Sequence, residues 1–271
     1  MIPLLVAAHV AGEESPGSPQ RLAQLAARAI DAEQVADLAL AQDAHVLLER
    51  LEAALAAGDS VEDLMVDVLA PAARILGVRW EADLADFVDV TMGLWRLQEV
   101  VHALSSRRRP LRPDRAAGCR ILCTVMPGDQ HGFGSILLEE MFRHAGWIAV
   151  GHRDADAAEL LAHVGQGWFD LIALTASIDQ PIAHLRETIA ALRYASANPA
   201  VGILVGGHLF SSNPGLADAI GADATARDGK AAIEVAAAVV ARLAPQRMAL
   251  PHRSHQTWVG DQAMRGSARL G

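Results

Sequence analysis

An acid and a histidine stand two positions apart in a glycine-rich turn, within the stretch GDQHGFG at residues 128–134. A carboxylate at Asp129 that hydrogen-bonds one ring nitrogen of His131 would fix the imidazole tautomer and strengthen the other nitrogen as a metal ligand. The glycines of the stretch let the backbone approach a bulky, planar group. The stretch therefore predicts either a metal-ligating histidine with a supporting carboxylate, or a loop in which both side chains satisfy backbone groups.

The residues around the loop argue against two other functions, nucleotide binding and phosphate acceptance. After Gly132-Phe133-Gly134 the chain continues Ser-Ile-Leu, so the third glycine of a dinucleotide-binding GxGxxG is missing. No Gly-Lys-Ser or Gly-Lys-Thr occurs, which excludes a phosphate-cradling P-loop. A response regulator needs an aspartate at the end of its third strand, where this chain has Thr175-Ala176-Ser177. Nucleotide-binding and phospho-acceptor functions are therefore not expected.

The elements that must position the loop alternate between strand and helix. Five short apolar runs are typical of strands: CRILCTVM (119–126), WIAVG (147–151), FDLIALTAS (169–177), AVGILVGG (200–207) and ADATA (222–226). Helical segments separate them, which predicts an α/β fold with a doubly wound, five-stranded parallel sheet of the flavodoxin or Rossmann type. Ligands of such sheets bind beyond the carboxyl ends of the strands, near the switch point, where the 128–134 loop is expected to lie.

A helical period precedes the sheet. From Arg21 onwards apolar residues recur every three to four positions, which predicts a small helical bundle over residues 21–106. Within the bundle, Pro71 is expected to lie early in a helix that ends or bends at Gly77. We expect the other segments to be a flexible amino-terminal lead-in (1–20), a linker (107–118), the α/β domain (119–245) and a flexible carboxyl-terminal tail (246–271).

Composition narrows the classes of partner and compartment. A net charge of −9 argues against broad electrostatic attraction to nucleic acid or to an anionic membrane. The basic run RRRPLRPDR (107–115) is read as a solvated linker or as a local patch for DNA or a partner, and no DNA-reading motif accompanies it. Cys119 and Cys123 lie about 13 Å apart on one predicted strand, beyond disulfide reach. Unbridged thiols, with no export signal and no membrane-spanning run, predict a cytoplasmic protein.

Three motifs follow one another along the α/β segment: Asp129-x-His131-x-x-Gly134, Thr175-Ala176-Ser177 and Gly206-Gly207. Their order and spacing resemble the cobalamin-binding domain that methionine synthase, methylmalonyl-CoA mutase and the cobalamin-dependent light-sensing repressors share. The family pattern is D-x-H-x-x-G, then Ser-x-Leu, then Gly-Gly. This resemblance implies a cobalamin cofactor bound at the ligand edge of the sheet.

The resemblance also implies roles for the residues of the first motif. His131 would ligate cobalt from below, in place of the cofactor's own dimethylbenzimidazole. Asp129 would hydrogen-bond to His131 and orient it. Gly132 and Gly134 would let the loop backbone lie close to the corrin ring.

The second and third motifs are implied to hold the displaced nucleotide tail between the sheet and the helices. Thr175 would stand where the family has serine beside the buried benzimidazole. Gly206 and Gly207 would let the tail pass close to the backbone. The sequence departs from the family pattern because Ser-x-Leu has become Thr-x-Ser. Ser177 then offers a second hydroxyl, and the loss of the leucine puts the fit of the tail in doubt.

Part of the helical segment, residues 76–104, resembles the cap of the light-sensing repressors around the tryptophan that covers their cofactor. The resemblance implies that Trp80 is this residue. The repressors place a Glu-His pair further along the chain, where this sequence has Val90-Thr91, so their upper histidine ligand is missing. Three other residues are interpreted as an ordinary helix residue and two packing residues: His102, Trp95 and Trp147.

A sharper resemblance joins the cap to the loop. FVDVTMGLWRLQ (87–98), together with GDQHGFG and FRHAGW (142–147), resembles the AerR and PpaA regulators of photosynthesis in phototrophic bacteria, over residues 80–250. Membership would imply a light-responsive cobalamin-binding regulator that is not an enzyme. It would also imply a partner, a transcriptional repressor of the PpsR/CrtJ type.

Other functions stay open at the level of sequence. One is a corrinoid carrier of a methyltransferase system, although the Gly-Glu-x-Phe-Leu-Pro segment typical of those carriers is absent. Another is an interaction module that kept the fold and lost the cofactor. Haem is an alternative cofactor because it also accepts an axial histidine, and some relatives are described as haem sensors. His131 alone therefore does not distinguish cobalamin from haem.

Overall fold

A computed structural model describes residues 30–106, 118–129, 132–153, 156–176 and 181–249, without the side chains of residues 246–249. The expected lead-in, nearly all of the linker and most of the expected tail therefore lie outside the described residues. So do His131 and Ser177. The described chain forms a helical domain followed by a five-stranded parallel α/β domain, which confirms the predicted fold class.

The first domain is a bundle whose helices bury one apolar stripe each. Helix α1 begins at a capping box in which the Asp31 carboxylate accepts a hydrogen bond from the Gln34 backbone N–H at 2.8 Å. Leu47 and Leu51, at the predicted helical spacing, are fully buried. The helices are α1 (Ala32–Ala41), α2 (Ala44–Ala57), α3 (Val61–Leu64), a π-helix (Met65–Leu69), α4 (Ala70–Glu81) and α5 (Phe87–Ser106).

One helix of the bundle is longer than the sequence predicted. It runs without interruption from Val61 to Glu81 and passes through Gly77, so the expected end or bend at this glycine is wrong. Pro71 has no N–H to donate, and the turn before it widens into the π-helix, where the Ala70 N–H bonds the Met65 carbonyl five residues back. The wider turn therefore carries the helix past a proline that would otherwise interrupt it.

The second domain is a doubly wound sheet with strand order β2-β1-β3-β4-β5, all parallel. Helix α9 was not expected from the sequence, and α11 continues to Ala249, four residues beyond the predicted domain end. The strands are β1 (Arg120–Val125), β2 (Ile148–His152), β3 (Leu171–Thr175), β4 (Gly202–Gly206) and β5 (Ala224–Thr225). The helices are α6 (Phe133–His144), α7 (Ala157–Gln166), α8 (Ile182–Ala195), α9 (His208–Ser212), α10 (Leu216–Ala219) and α11 (Gly229–Ala249).

Alternate strand residues supply two separate cores, one on each face of the sheet. Helices α6 and α11 cover one face, on which Ile121, Leu171 and Leu204 are buried. Helices α7 and α8 cover the other face, on which Leu122 and Ile172 are buried. A side chain at the end of a strand can therefore be assigned to a face from its position in the alternation.

Helix α6 belongs to the cores of both domains. Its Phe142 packs with the sheet, whereas Ile136, Leu137 and Met141 lie in the core cluster of the bundle. Its first residue, Phe133, also packs against the bundle. The bundle therefore rests on the sheet domain along the whole length of α6.

Polar side-chain pairs also join the two domains. His144 Nδ1 lies 3.4 Å from Glu62 Oε1, at the end of α6. His102 Nδ1 lies 3.2 Å from Glu140 Oε1, so the predicted ordinary helix residue links α5 to α6. At the start of α11, the Lys230 ammonium pairs with the carboxylates of Asp63 and Asp67 in the bundle.

The Asp63–Lys230 pair makes the stability of the protein depend on pH in the acidic range. Burial opposes ionisation of Asp63, but hydrogen bonds from Lys230 and Ser60, with the charge of Lys230, outweigh it and lower its pKa from 3.8 to about 2. A lowered folded-state pKa adds stability above the unfolded-state value, and this stability is lost as pH falls through the folded-state value. The ion pair should therefore stabilise the protein fully above pH 4 and fail as the pH approaches about 2.

Replacing Lys230 with methionine tests this expectation while keeping the apolar stem. We expect the variant to be less stable than the original protein at neutral pH by under about 1 kcal/mol, because both partners are partly exposed to solvent. Urea denaturation at a series of pH values should show this difference shrinking below pH 4. A difference that is constant down to the lowest pH reached would contradict the assignment.

No helix within the described ranges combines the length and the apolarity that are needed to cross a membrane.

Candidate functional site

The carboxyl ends of three neighbouring strands meet at one point of the sheet. Val125 of β1 pairs with Thr175 of β3, which in turn pairs with Gly206 of β4. Strand β2 follows β1 in sequence but lies on the other side of it, so the switch point of the sheet falls between β1 and β3. Thr175 of the second predicted motif, and the chain that leads from β1 to Asp129 of the first, therefore lie at the expected ligand edge.

The loop after β1 is pinned at its start. The Met126 N–H donates to the Thr175 carbonyl at 2.8 Å, and the Asp129 N–H donates to the Met126 carbonyl at 2.8 Å. Gly128 has φ +82°, a conformation that favours glycine. Asp129 is buried, with 9% of its surface exposed, and a carboxylate this buried requires a polar or charged partner. Asp129 thus has the burial that its predicted role requires.

The loop continues directly into α6. The structure describes it as far as Asp129 and again from Gly132, so the predicted cobalt ligand, His131, lies outside the described residues. Gly132 precedes the first turn of α6, and a Cβ atom added at Gly132 or Gly134 would meet no atom within 4 Å. Both glycines therefore face open space at the edge where His131 follows Asp129.

Thr175 and Gly206 lie on the face of the sheet that α6 and α11 cover, by the alternation of β3 and β4. A Cβ atom added at Gly206 would meet nothing within 4 Å. At Gly202, on the same face of the same strand, it would lie 2.6 Å from Leu171 Cδ1 and 2.8 Å from Val239 Cγ1. The space between sheet and helices is thus filled at the amino ends of the strands and open at their carboxyl ends.

The free space beside Gly206 lies where the sequence motifs imply that the nucleotide tail would run. Thr175, at its wall, has a hydroxyl that donates to the Thr124 carbonyl at 3.3 Å and can also accept a hydrogen bond. A bulky side chain at Gly206 would occupy the opening, whereas glycine leaves it free. The residues that would hold the tail are therefore Thr175 and Gly206. Ser177, the second predicted hydroxyl, lies outside the described residues.

At Gly207, glycine is required by the backbone conformation and by a close backbone neighbour. Its φ is +107°, and an added Cβ atom would overlap the carbonyl oxygen of Ala176. Gly207 also precedes helix α9 and accepts the first backbone hydrogen bond of that helix from Phe210 at 3.1 Å. The close approach at this position is thus to the chain's own backbone, at the start of the segment that leaves β4.

The three tryptophans that the sequence singled out differ in their surroundings. Trp147 is buried and packs edge-on against Phe142, with ring centroids 5.1 Å apart, which confirms a packing role. Trp80, the predicted cofactor cover, is partly buried and packs against the core cluster of the bundle. Trp95 was predicted to be a packing residue, and this is wrong because 51% of its surface is exposed on α5. Its neighbours in the helix, Leu94 and Leu97, take the buried positions instead.

Two buried carboxylates near the site were not predicted from the sequence. Glu139 pairs with Arg143 and with Arg153, which follows the end of β2. Glu140 accepts a hydrogen bond from Arg143 at 2.7 Å. The spacing of Glu139 and Arg143 in the helix was a visible signal, but the contribution of Arg153 depends on how the sheet folds.

Among the residues that the structure describes, no group of three or more histidine, cysteine, aspartate or glutamate side chains could hold a metal ion. Burial raises the pKa of the Cys123 thiol to about 12, so this cysteine remains a neutral packing residue. A metal that arrives within a macrocycle, in contrast, needs only one axial ligand from the protein.

Comparisons with known proteins bear on the same two regions. Residues 119–237 match a B12 binding domain family, and residues 31–105 match a second B12 binding domain family. An uncharacterized 20.5 kDa protein of Rhodobacter capsulatus, from the bchF–crtJ intergenic region, is 30% identical over 148 residues, which cover 52% of this chain and 76% of the relative.

A solved structure shows the same overall arrangement. The monomethylamine corrinoid protein of Methanosarcina barkeri superposes with a TM-score of 0.60 at 22% identity, over 76% of this chain and 96% of its own. At this identity the likeness concerns the fold alone. The two family matches indicate a corrinoid cofactor, as the loop and strand-end motifs predicted. The chain belongs to the B12-binding domain proteins, in which a helical cap precedes a five-stranded parallel cobalamin-binding domain.

Proposed function

We propose that this chain is a light-responsive transcription regulator of the AerR/PpaA type, which acts through a PpsR/CrtJ-type repressor and is not an enzyme. The observation that carries this proposal is the Rhodobacter capsulatus relative, which is named for its place in the bchF–crtJ intergenic region. CrtJ is the type of repressor that the sequence resemblance names as a partner. The likeness in FVDVTMGLWRLQ at residues 87–98 supports the same assignment.

One group of residues is proposed to bind the cofactor. His131 is the proposed protein ligand of cobalt, oriented by Asp129, and Thr175, Ser177 and Gly206 are proposed to hold the tail. Bound cobalamin supplies a coloured cobalt centre whose upper ligand light can release. The protein supplies the pocket, the lower ligand and the route by which a change at the loop reaches the cap.

Helix α6 is the proposed route. It begins directly after the loop, and its Ile136, Leu137 and Met141 are part of the cap core. A small displacement at the start of α6 would be transmitted to the cap because closely packed side chains do not deform independently. The pairs between His102 and Glu140 and between His144 and Glu62 lie on this same helix and would be rearranged. The cap surface is therefore the proposed signal that the repressor reads.

A second candidate is a corrinoid carrier of a methyltransferase system. The fold of the Methanosarcina barkeri corrinoid protein favours it, since that chain shares the cap and sheet arrangement. A carrier must expose its cofactor to two successive enzymes, whereas a sensor must couple its cofactor to one partner. A haem sensor of the same fold is the remaining alternative.

One experiment separates these functions. The full chain is loaded in the dark with adenosylcobalamin, methylcobalamin or hydroxocobalamin, and in parallel with haem, and absorbance spectra are recorded before and after illumination. We expect a cobalamin-loaded protein whose bands change in light and whose association with a PpsR/CrtJ-type repressor differs between dark and light samples. Retention of haem alone, or methyl transfer to an acceptor with no effect of light on repressor binding, would contradict the proposal.

A further inference from the structure

The cap has an exposed apolar surface on α5 and the turn before it. Among the described residues, most of the large apolar side chains that are strongly exposed fall between positions 84 and 95: Leu84 (76%), Phe87 (39%), Val88 (63%), Met92 (40%) and Trp95 (51%). Val88, Met92 and Trp95 follow a spacing of four and three residues, so they share one face of α5. These three residues are called the α5 ridge below. A continuous exposed apolar surface of this kind indicates a binding site.

The α5 ridge lies at one end of a helical hairpin formed by the helix from Val61 to Glu81 and by α5. The two helices pack closely, since a Cβ atom added at Gly93 would lie 3.1 Å from Leu76 Cδ1. At the open end of the hairpin, both of its helices lie near the carboxyl half of α6. There, Glu62 contacts His144 at 3.4 Å. At the other helix of the hairpin, His102 contacts Glu140 at 3.2 Å.

The closed end of the hairpin extends beyond the start of α6. Residues of α6 from Phe133 to Met141 belong to the cap core or pack against it, and both helices of the hairpin contact α6, so the hairpin runs along this helix. At 1.5 Å per residue, Val88 lies about 21 Å from His102 along α5, but Phe133 lies only about 10 Å from Glu140 along α6. By the same measure Trp95 lies about 10 Å from His102, level with Phe133, so the α5 ridge begins beside the first residue of α6 and extends past it toward the carboxyl-end edge of the sheet.

Trp80 does not share this position. It is the penultimate residue of α4, is partly buried and packs against the cap core. Its environment is that of a residue that packs within the cap. Trp95, with half of its surface exposed, offers the larger free aromatic face.

The chemistry of the α5 ridge suits a macrocycle and not a metal. Indole, thioether and branched aliphatic groups stack on conjugated rings and exclude water. The nearest hydroxyl on this part of the helix, that of Thr91, already donates to the Phe87 carbonyl at 2.7 Å. The ridge itself contains no imidazole, so it would cover a corrin without ligating its cobalt.

We propose that the α5 ridge, with Trp95 as its main contact, and not Trp80, covers the upper face of the corrin and shields it from water. The inference rests on the corrinoid cofactor of the family and does not require that the protein respond to light. Trp95 is thus a shielding and positioning residue of the cofactor site.

The test compares Trp95→Ala and Trp95→Phe with Trp80→Phe as the matched control. Each full-length protein is loaded with hydroxocobalamin in the dark, and the rate at which cyanide replaces the upper ligand is followed by absorbance. We expect exchange to be about tenfold faster in Trp95→Ala, with partial recovery in Trp95→Phe, because losing an aromatic contact lowers the barrier to solvent entry. The melting temperature should change little for Trp95→Ala and should fall for Trp80→Phe. The rate of cyanide exchange in Trp80→Phe should match that of the original protein.

Each other result would overturn the inference. Equal exchange rates in Trp95→Ala and the original protein would show that the α5 ridge does not cover the corrin. If Trp95→Ala also lost binding to the repressor, the α5 ridge would be a protein-docking surface instead. If cyanide exchange were faster in Trp80→Phe alone, Trp80 would be the residue that covers the corrin. Failure of the original protein to bind hydroxocobalamin would leave no corrin to cover. Failure of the regulatory proposal is separate, because the exchange is measured in the dark and without a partner.

Discussion

A protein in which His131 is replaced by alanine is expected to keep its fold and to bind cobalamin at least about tenfold more weakly, since a metal–ligand bond contributes more than the supporting groups around it. The absorbance bands of the bound cofactor should shift, because water would replace nitrogen below the cobalt. Titration of the apoprotein with hydroxocobalamin, followed by absorbance, measures both effects. Far-ultraviolet circular dichroism checks that the fold is retained.

His184→Ala is the matched control for this variant. His184 lies on α8, on the opposite face of the sheet from Thr175 and Gly206, and its replacement should leave the affinity and the spectrum unchanged. Asp129→Asn should give an intermediate result, because the amide can still orient an imidazole but carries no charge. Unchanged affinity and bands in His131→Ala would refute lower ligation by this residue.

Gly206→Leu is expected to abolish cobalamin binding while leaving the protein folded. The side chain would extend into the open space beside Thr175, where an added Cβ atom meets nothing within 4 Å. The tail and the leucine side chain would then compete for the same space, and overpacking of this kind costs about 2 kcal/mol, which corresponds to roughly a thirtyfold loss of affinity. Isothermal titration with hydroxocobalamin gives the affinity, and thermal melting gives the stability.

Two further glycine variants calibrate this result. Gly206→Ala adds one methyl group to the same space and should reduce affinity only slightly. Gly207→Ala should instead lower the melting temperature, because alanine is strained at φ +107° and its Cβ would overlap Ala176. Full cobalamin binding by Gly206→Leu would show that the tail does not pass this position.

Much of the fold and part of the site were predictable from the sequence for local reasons. Strand and helix periods are set by neighbouring residues, so the alternation after residue 119 was sufficient to predict the parallel sheet. The placement of Thr175 beside Gly206 followed because the carboxyl ends of parallel strands meet at one edge, as the register of β3 and β4 shows. The distinct role of Gly207 was not visible, since its positive φ depends on the approach of a neighbouring strand end.

The contacts between the domains were not predictable in the same way. Trp95 and Leu94 are adjacent in the sequence and both apolar, and only the packing of the bundle decides which of them is buried. Likewise, the pairing of Lys230 with Asp63 joins residues that are far apart in the chain. The continuous helix through Pro71 was missed because a π-helix leaves no simple compositional signal.

The shared helix α6 sets the smallest piece of this chain that can be moved into another context. Cutting the cap away would leave Ile136, Leu137 and Met141 facing water, as an exposed apolar patch on the sheet domain. Anyone who wishes to graft this module onto a reporter, or to shorten it for a biosensor, should therefore keep the cap and the sheet domain together as one unit.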